Sequence, residues 1–296
     1  MDQCSPRRDL PGWLAAALIG GAFVAISIAE ARRPLRRQRE SRTRRTARNF
    51  TMAGLTAAAL SALQAPFLVP VARRVEDEKL GLLYQLPLGP ATRTILGVLL
   101  LDYTLWWWHW MNHGIGFFWR FHLVHHVDRD LDASTAIRFH FGEMSLSVFY
   151  RMAQVRLLGI DRRATAIWQW LLMISIFFHH SNIRLSPRTE RLLVKLLVTP
   201  RMHGIHHSDY RDETDSNWSS LLSWWDYLHG TMRLDIPQDD VTIGVPAYQD
   251  EASVTLPEIV LLPLHGERSD WVAEDGNEKI ERVAPPTRLE RWHLEP

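Results

Sequence analysis

Three clusters of histidine at helical spacing, each close to an apolar segment, place the strongest limit on how this chain can fold. On an α-helix, positions i, i+3 and i+4 lie on one face, so each cluster can direct two or three imidazoles at one point. The clusters are His109-x3-His113, His122-x2-His125-His126 and His203-x2-His206-His207. Eight imidazoles are too many for one metal ion but suit a pair. The sequence therefore predicts a helical fold that assembles a two-metal site.

The choice of histidine narrows the chemistry of such a site. Neutral imidazole binds Fe, Zn, Cu and Ni well, whereas thiolates favour zinc or iron–sulfur centres and carboxylate clusters favour harder ions. The only cysteine is Cys4. Cysteine-ligated clusters, thiolate haem and an internal disulfide framework are therefore excluded. The net charge of +1 gives no indication of a nucleic-acid partner, and we expect none.

Three apolar segments are each long enough to cross a hydrocarbon core, which needs about 20 residues. They are residues 12–31, 51–72 and 91–112. The third contains Asp102, and an acid at membrane depth is usually functional or paired. It also contains four tryptophans between Tyr103 and Trp110, a composition typical of the membrane–water interface.

The stretch 32–48 predicts the orientation of these segments. It holds nine arginines and a single acid, Glu40, which indicates a cytoplasmic loop. The alternative for the first segment is a cleavable signal peptide, because Ala29-Glu30-Ala31 resembles a cleavage site. Cleavage would require the arginines to be translocated, so we favour a retained membrane helix. The third segment then brings His109 and His113 out on the cytoplasmic face.

Between residues 144 and 180 lie two apolar stretches, separated by Asp161-Arg162-Arg163. Neither is a good candidate for a complete membrane span. A paired hairpin, spanning or re-entrant, returns the chain to the side it left and gathers all three clusters in the cytoplasm. We therefore expect an all-α integral membrane helical bundle, with about four spanning or re-entrant helical units and a cytoplasmic helical cap carrying the two-metal site. The expected parts are an N-terminal transmembrane region with the arginine-rich loop (1–99), a catalytic domain (100–233) and a cytoplasmic extension, disordered in its last twenty residues (234–296).

Two further positions place histidine where a ligand would be useful. His140 follows Thr135-Ala136-Ile137-Arg138-Phe139, and His179-His180 precede Ser181-Asn182. The remaining histidines, His229, His265 and His293, are interpreted as structural.

The order of these motifs resembles the fatty acid hydroxylase/sterol desaturase superfamily over about residues 100–233. The resemblance rests on the motifs Asp102…His109-x3-His113, His122-x2-His125-His126, Thr135-Ala136-x-Arg138-x-His140-x2-Glu143, His180-Ser181-Asn182, Thr199-Pro200-x2-His203-x2-His206-His207, Asn217 and Trp225-Asp226-x2-His229-Gly230-Thr231. Three positions depart from the pattern of the family. Trp110 stands where Arg is common, Phe141 replaces a usual Pro, and His229 replaces a usual Phe.

The resemblance implies a membrane-bound, non-haem di-iron oxygenase that hydroxylates or desaturates a lipid. The implied metal ligands are His109, His113, His122, His125, His126, His140, His180, His203, His206 and His207. The residues implied to orient the imidazoles through hydrogen bonds at the catalytic centre are Glu143, Asn182, Asn217 and Asp226. O2 is the implied co-substrate. Electrons from NAD(P)H would arrive through a separate cytochrome b5-like protein, ferredoxin or reductase, because the sequence has no dinucleotide-binding fingerprint.

Two other functions compete with this interpretation. A zinc-dependent membrane hydrolase is disfavoured because no His-Glu-x-x-His signature is present. A histidine-rich membrane metal-binding protein or transporter would place ionisable ligands within its spans, whereas these clusters lie at helix ends. We expect a multi-pass protein of a bacterial inner membrane or an endoplasmic-reticulum-type membrane, with the site on the cytoplasmic face. The lipid, the carbon attacked and the oligomeric state stay open.

Overall fold

The computed structural model describes residues 12–265 and 269–282. Over these residues the chain is helical and forms no β-strand apart from four isolated bridges. The predicted all-α class is therefore confirmed. The α-helices in these residues are α1 (Gly12–Arg32), α2 (Arg42–Leu63), α3 (Val69–Asp77), α4 (Leu82–Gln85), α5 (Pro90–Gly114), α6 (Gly116–His126), α7 (Phe141–Leu158), α8 (Arg162–His180), α9 (Pro187–Leu193), α10 (Pro200–His206), α11 (Arg211–Thr214), α12 (Trp224–His229) and α13 (Leu256–Leu261).

The long helices pack into a bundle, with α2 against α7 and both α1 and α5 against α8. A π-helical turn, Gln64–Leu68, joins α2 to α3 without a loop. Pro66 and Pro70 lie at this junction, and proline has no N–H to donate to the helical ladder, which explains why the regular pattern breaks there. The core of the bundle includes Leu101, Val148 and Trp168.

The predicted apolar segments coincide with helices of the bundle. Residues 12–31 form most of α1, residues 51–72 run from α2 into α3, and residues 91–112 lie in α5. Within the described residues, one helical stretch, Arg42–Gln85, is long and apolar enough to cross a membrane. The number of crossings and the side on which the histidines lie stay predictions.

The two stretches between 144 and 180 form α7 and α8, which are joined by a short turn and each pack against α5. The turn begins at Gly159, which has φ +73° and caps α7. A Cβ at this position would meet the Leu80 carbonyl oxygen at 2.7 Å, so both the backbone angle and the space require glycine.

The arginine-rich stretch 32–48 is only partly a loop. Residues 33–41 connect α1 to α2, and the remaining arginines belong to the first turns of α2. Arg45 is fully buried and forms ion pairs with Asp128 and Asp132, which follow the second histidine cluster. The structure thus places the arginines from Arg42 onward in a helix and not in the expected loop, and counting charges cannot detect partners more than 80 positions away.

The 33–41 loop is fastened to the end of α8. Leu35 N donates to the Asn182 carbonyl oxygen at 2.8 Å, and Arg184 N donates to the Arg33 carbonyl oxygen at 2.7 Å. Glu30, at the end of α1, is buried and accepts the backbone N–H of Asn182 at 3.1 Å. These contacts join the end of α1 to the end of α8.

The segment after residue 234 contributes to the core despite its weak periodicity. Its apolar side chains pack behind the second histidine cluster, against Leu123 and Val124 of α6 and Val127 of the following loop. The side chains in this packing are Val245, Tyr248, Val254, Ile259 and Leu262. Part of the stretch expected to be disordered is also fixed, since Arg282 Nε lies 2.6 Å from Glu213 Oε1. The final residues 283–296, which include His293, lie outside the described residues.

Candidate metal centre

The three histidine clusters meet at one end of the bundle, where α5, α6, α8 and α10 present their last turns. The imidazoles form two groups, and within each group the candidate ligand atoms lie within 4.8 Å of one another. The five-histidine group contains His109, His113, His122, His126 and His206. The four-histidine group contains His125, His180, His203 and His207.

Helix geometry divides each of the last two clusters between the groups. On α6, His122 and His126 are four residues apart and join the five-histidine group, whereas the ring of His125 points to the other group. The third cluster follows the same rule, because His203 and His207 lie together and His206 is directed away from them. Neighbouring helical positions differ by about 100° in direction, so one short helix can supply both groups.

In the five-histidine group, four of the five Nδ1 atoms are held by protein oxygens. The pairs are His109 with Trp218 O at 2.8 Å, His206 with Ser216 O at 2.7 Å, His122 with Glu143 Oε1 at 3.1 Å, and His113 with Asp215 Oδ1 at 3.3 Å. A neutral imidazole carries one N–H, and an oxygen partner fixes that proton on Nδ1. The Nε2 lone pairs are then directed into the group, which is how proteins prepare histidine to bind metal.

The four-histidine group contains lone pairs that face one another. Nδ1–H of His180 donates to the Ile176 carbonyl at 2.8 Å, and Nδ1–H of His125 donates to the Arg138 carbonyl at 3.3 Å. Both Nε2 atoms are therefore unprotonated, yet they lie 3.0 Å apart. His203 Nε2 lies 2.9 Å from that of His180. Facing lone pairs repel unless a cation lies between them, so this group fits a metal ion.

The separations between Nε2 atoms also indicate the coordination angle. The four short separations in the two groups run from 2.9 to 3.2 Å. With a metal–nitrogen bond of about 2.1 Å, ligands at right angles are about 3.0 Å apart and tetrahedral ligands about 3.4 Å apart. The measured values lie nearer to right angles, which suits five- or six-coordinate ions better than a tetrahedral zinc site.

Burial keeps the imidazoles neutral. Burial lowers the pKa of His206 to about 3, although the hydrogen bond that His206 donates to the Ser216 carbonyl opposes this effect in part. Burial and the neighbouring histidines hold the pKa values of His203 and His207 well below the usual range. Because the neutral ring is the form that binds metal, these histidines are ready to act as ligands at physiological pH.

Glu143 and Asp226, two of the predicted orienting residues, lie close to the histidines. Glu143 Oε1 contacts His122 directly and also accepts Asn112 Nδ2 at 3.2 Å. Asp226 acts through the backbone, because it accepts Trp218 N at 3.0 Å and thereby places the Trp218 carbonyl that holds His109.

The two predicted asparagines lie further from the imidazoles. The Asn182 side chain makes two 2.8 Å bonds with the backbone of Arg36 and joins the arginine loop to the end of α8. Asn217, with φ +54°, donates to the Met202 carbonyl at 3.0 Å and accepts Arg233 N at 2.8 Å. Both amides therefore position backbone segments and do not orient a ring directly.

His140 does not join either group. Its Nδ1 accepts Gly142 N at 3.0 Å and caps α7, while its Nε2 donates to the Val260 carbonyl at 3.1 Å. With both nitrogens engaged, the ring has no lone pair left for a metal, so the structure does not support the predicted ligand role. His229 stacks on Trp106 at 4.0 Å, in line with its structural interpretation. Asp102 is paired, with Trp225 Nε1 at 2.6 Å.

Several residues that build the site have no signature in the sequence. The Trp218 and Ser216 carbonyls hold ligand rings, but a backbone oxygen has no sequence signature. Arg138 belonged to a motif, yet its contribution is structural: its carbonyl holds His125 and its Nε donates to the Val124 carbonyl at 2.8 Å. Asn112, within the first cluster, could have been noticed only as a polar residue on a Trp-rich helix.

Comparison with known proteins identifies the segment that carries both groups. Residues 94–231 match the family model described as fatty acid hydroxylase. This segment is a fatty acid hydroxylase domain. All nine clustered histidines lie within it.

Several characterised proteins share this domain. The chain is 28% identical to ornithine lipid hydroxylase of Rhizobium tropici over 158 residues, covering 52% of this chain and 46% of that protein. It is 28% identical to human alkylglycerol monooxygenase, covering 46% and 29%, and 26% identical to human cholesterol 25-hydroxylase, covering 51% and 52%. The chain thus spans about half or less of the length of these relatives. No solved structure matches it.

Proposed function

We propose that this chain is a membrane-bound, non-haem di-iron oxygenase that hydroxylates or desaturates a lipid. The observation that carries the proposal is the pair of histidine groups whose Nε2 atoms face one another at 2.9 to 3.2 Å. Imidazole-only groups suit iron, and the near right-angle separations disfavour a tetrahedral zinc hydrolase. The relatives, named as hydroxylases and monooxygenases of lipids and sterols, support the reaction class.

The reaction needs chemistry that side chains lack. Two bound iron ions would supply the activation of O2 that cleavage of an alkyl C–H bond requires. In hydroxylation, a C–H bond, O2, two electrons and two protons give an alcohol and one water. In desaturation, removal of two hydrogens from neighbouring carbons gives an alkene and two waters. The electrons come, in this proposal, from NAD(P)H through a separate donor protein.

The chain's own residues hold the rings and exclude water. Glu143 and the carbonyls of Trp218 and Ser216 fix the tautomers of the five-histidine group. Phe139 stacks on His125 with ring centroids 4.5 Å apart and an interplanar angle of 9°. Close packing of this kind keeps the Nε2 atoms directed inward and shields them from bulk solvent.

The apolar helices support a membrane location and a lipid substrate. The stretch Arg42–Gln85 meets the length and apolarity of a membrane span. In addition, α5 carries exposed aromatic side chains near the histidine end, including Trp107 and Trp110. Tryptophan at this level is typical of the membrane–water interface, where a lipid can enter laterally. We place the site on the cytoplasmic side, following the arginines of 33–41.

Metal analysis combined with lipid mass spectrometry tests the proposal. Purified wild-type protein should contain two irons per chain, and cells that express it should accumulate a lipid changed by about +16 mass units for hydroxylation or about −2 for desaturation. The spectroscopic signature of a coupled iron pair should accompany the metal content.

One histidine of each group provides the matched variants. His206→Ala should weaken iron binding by the five-histidine group, and His125→Ala should weaken iron binding by the four-histidine group. Each variant should lose lipid oxidation but still insert into the membrane. His265→Ala, outside both groups, is the control and should keep metal and turnover. Full turnover with two irons in both ligand variants would contradict the proposal, as would zinc as the only metal bound by active protein.

A further inference from the structure

A cavity lined by arginines lies beside the loop that joins α1 to α2. Its volume is about 1050 Å³, and its cationic lining consists of Arg36, Arg37, Arg42 and Arg184. A smaller neighbouring cavity of about 290 Å³ shares Arg36 and Arg37 and adds two more arginines, Arg39 and Arg129. We call the larger space the arginine cavity. Its size is sufficient for the polar portion of a lipid.

The positive charge of the arginine cavity is only partly neutralised. Its acidic lining residues are Glu30 and Asp239. Glu30 is already engaged by the Arg42 side chain and by two backbone N–H groups. Arg37 is exposed, lines both cavities, and makes no hydrogen bond or ion pair with another described residue. An anion that enters the cavity therefore meets at least one guanidinium with its full capacity for hydrogen bonding.

The cavity adjoins the backbone that carries the four-histidine group. Asn182 lines it and lies two residues after His180. Arg36 crosses from the cavity to α10, where Nη2 donates to the Pro200 carbonyl at 2.9 Å. It lies so close to Gly204, the residue after His203, that a Cβ on this glycine would collide with the guanidinium. A ligand held in the cavity thus lies next to the proposed metal site.

The geometry points to a phospholipid site: we propose that the arginine cavity binds the phosphate of an anionic phospholipid headgroup and holds that lipid beside the four-histidine group. The inference rests on the membrane location proposed above but not on oxygenation. Arginine donates planar pairs of N–H groups that match phosphate oxygens. Clusters of basic residues directly at the cytoplasmic ends of membrane helices attract anionic lipids, and this cavity lies between the end of α1 and the start of α2.

The test measures lipid retention and not turnover. The full-length protein is purified, equilibrated with vesicles of equal phosphatidylglycerol and phosphatidylcholine, and examined by native mass spectrometry for the lipid it retains. Wild type should prefer phosphatidylglycerol. Arg37→Gln should reduce that preference about fivefold, the factor expected for one basic residue at an anionic lipid, and Arg37→Glu should reduce it further. The matched control is Arg44→Gln, since Arg44 pairs with the exposed Glu251 outside the cavity.

The outcomes separate the cavity from general surface charge. An unchanged preference in Arg44→Gln with a loss in the Arg37 variants supports the proposal. Equal losses in both, or no preference in wild type, overturn it. A soluble anion would be the ligand if millimolar inorganic phosphate displaced phosphatidylglycerol and wild type showed no lipid preference in dilute phosphate. That result would also overturn the proposal. Iron content is measured in the same samples, so a failure of the oxygenase proposal is visible separately.

Discussion

Replacing Glu143 by Gln tests whether a carboxylate sets the strength of one metal site. Glu143 Oε1 lies 3.1 Å from His122 Nδ1, and no other carboxylate is shown to contact that ring. Glutamine keeps the size and an acceptor oxygen but removes the charge. A hydrogen bond to a charged group contributes about 1.5–3 kcal/mol and a neutral one about 0.5–1.5 kcal/mol. We therefore expect a loss of about 1 to 1.5 kcal/mol, which is about five- to twelvefold in metal affinity.

The loss should fall on one of the two metals. Glu143 contacts the five-histidine group through His122, whereas His180 and His125 of the four-histidine group are held by the Ile176 and Arg138 carbonyls. Titration of iron against a competing chelator should therefore show one weakened site and one unchanged site. Glu143→Leu, which removes the acceptor, should weaken the same site by about 10- to 100-fold.

A buried carboxylate elsewhere supplies the control. Glu190 on α9 is 1% exposed and makes no contact with either histidine group. Glu190→Gln should leave both metal affinities unchanged, and thermal melting of all variants shows whether they fold. If folded Glu143→Leu binds both metals as tightly as wild type, the carboxylate does not support His122 and the reasoning is refuted.

Three further predictions concern the frame around the site. Gly204→Ala should force Arg36 away from α10 and cost about 1–3 kcal/mol, lowering the melting temperature, whereas Gly54→Ala, where a Cβ meets nothing within 4 Å, should not lower it. Arg45→Met leaves buried carboxylates unpaired and should cost about 3–5 kcal/mol, measured by denaturant unfolding; a loss below 1 kcal/mol would contradict the pairing. Burial alone would raise the pKa of Asp128, but the neighbouring guanidiniums outweigh it and hold the pKa below its usual value. Stability from this carboxylate is thus complete above about pH 4 and lost below it, and Asp128→Asn should remove that part of the acid sensitivity in melts across pH.

The local features of the site followed from the sequence because they depend on helical periodicity. The spacing of His122, His125 and His126 requires that one short helix direct rings to nearby points, and the structure groups them accordingly. The division into two groups is a finer property. It depends on how α6 and α10 are rotated about their axes. Leu123 and Val124 of α6 pack against the C-terminal segment, whereas Met202 of α10 packs against Val194 and Val198. Periodicity alone does not specify this rotation.

The contacts of His140 explain why its ring lies apart from both histidine groups. The residue is followed two positions later by Gly142, whose N–H needs an acceptor because the first turn of α7 has unsatisfied donors. The His140 ring satisfies it and is fixed at the helix start, with Val260 taking the other nitrogen. The second contact comes from a segment 120 residues away, and no sequence pattern places that segment beside α7.

The buried ion pairs near α2 connect the arginine-rich stretch to the metal centre. Arg45 Nη1 donates to Asp128 Oδ2 at 3.0 Å, and Thr135 Oγ1 donates to the same oxygen at 2.9 Å, so both ends of the 127–138 connection are fixed. That connection ends at Arg138, whose carbonyl holds His125. Burying these charges is costly, and an apolar core of the same volume is often as stable. The network is better explained by positioning: directional charged contacts fix the Arg138 carbonyl, and through it the direction of a ligand lone pair, more tightly than apolar packing does.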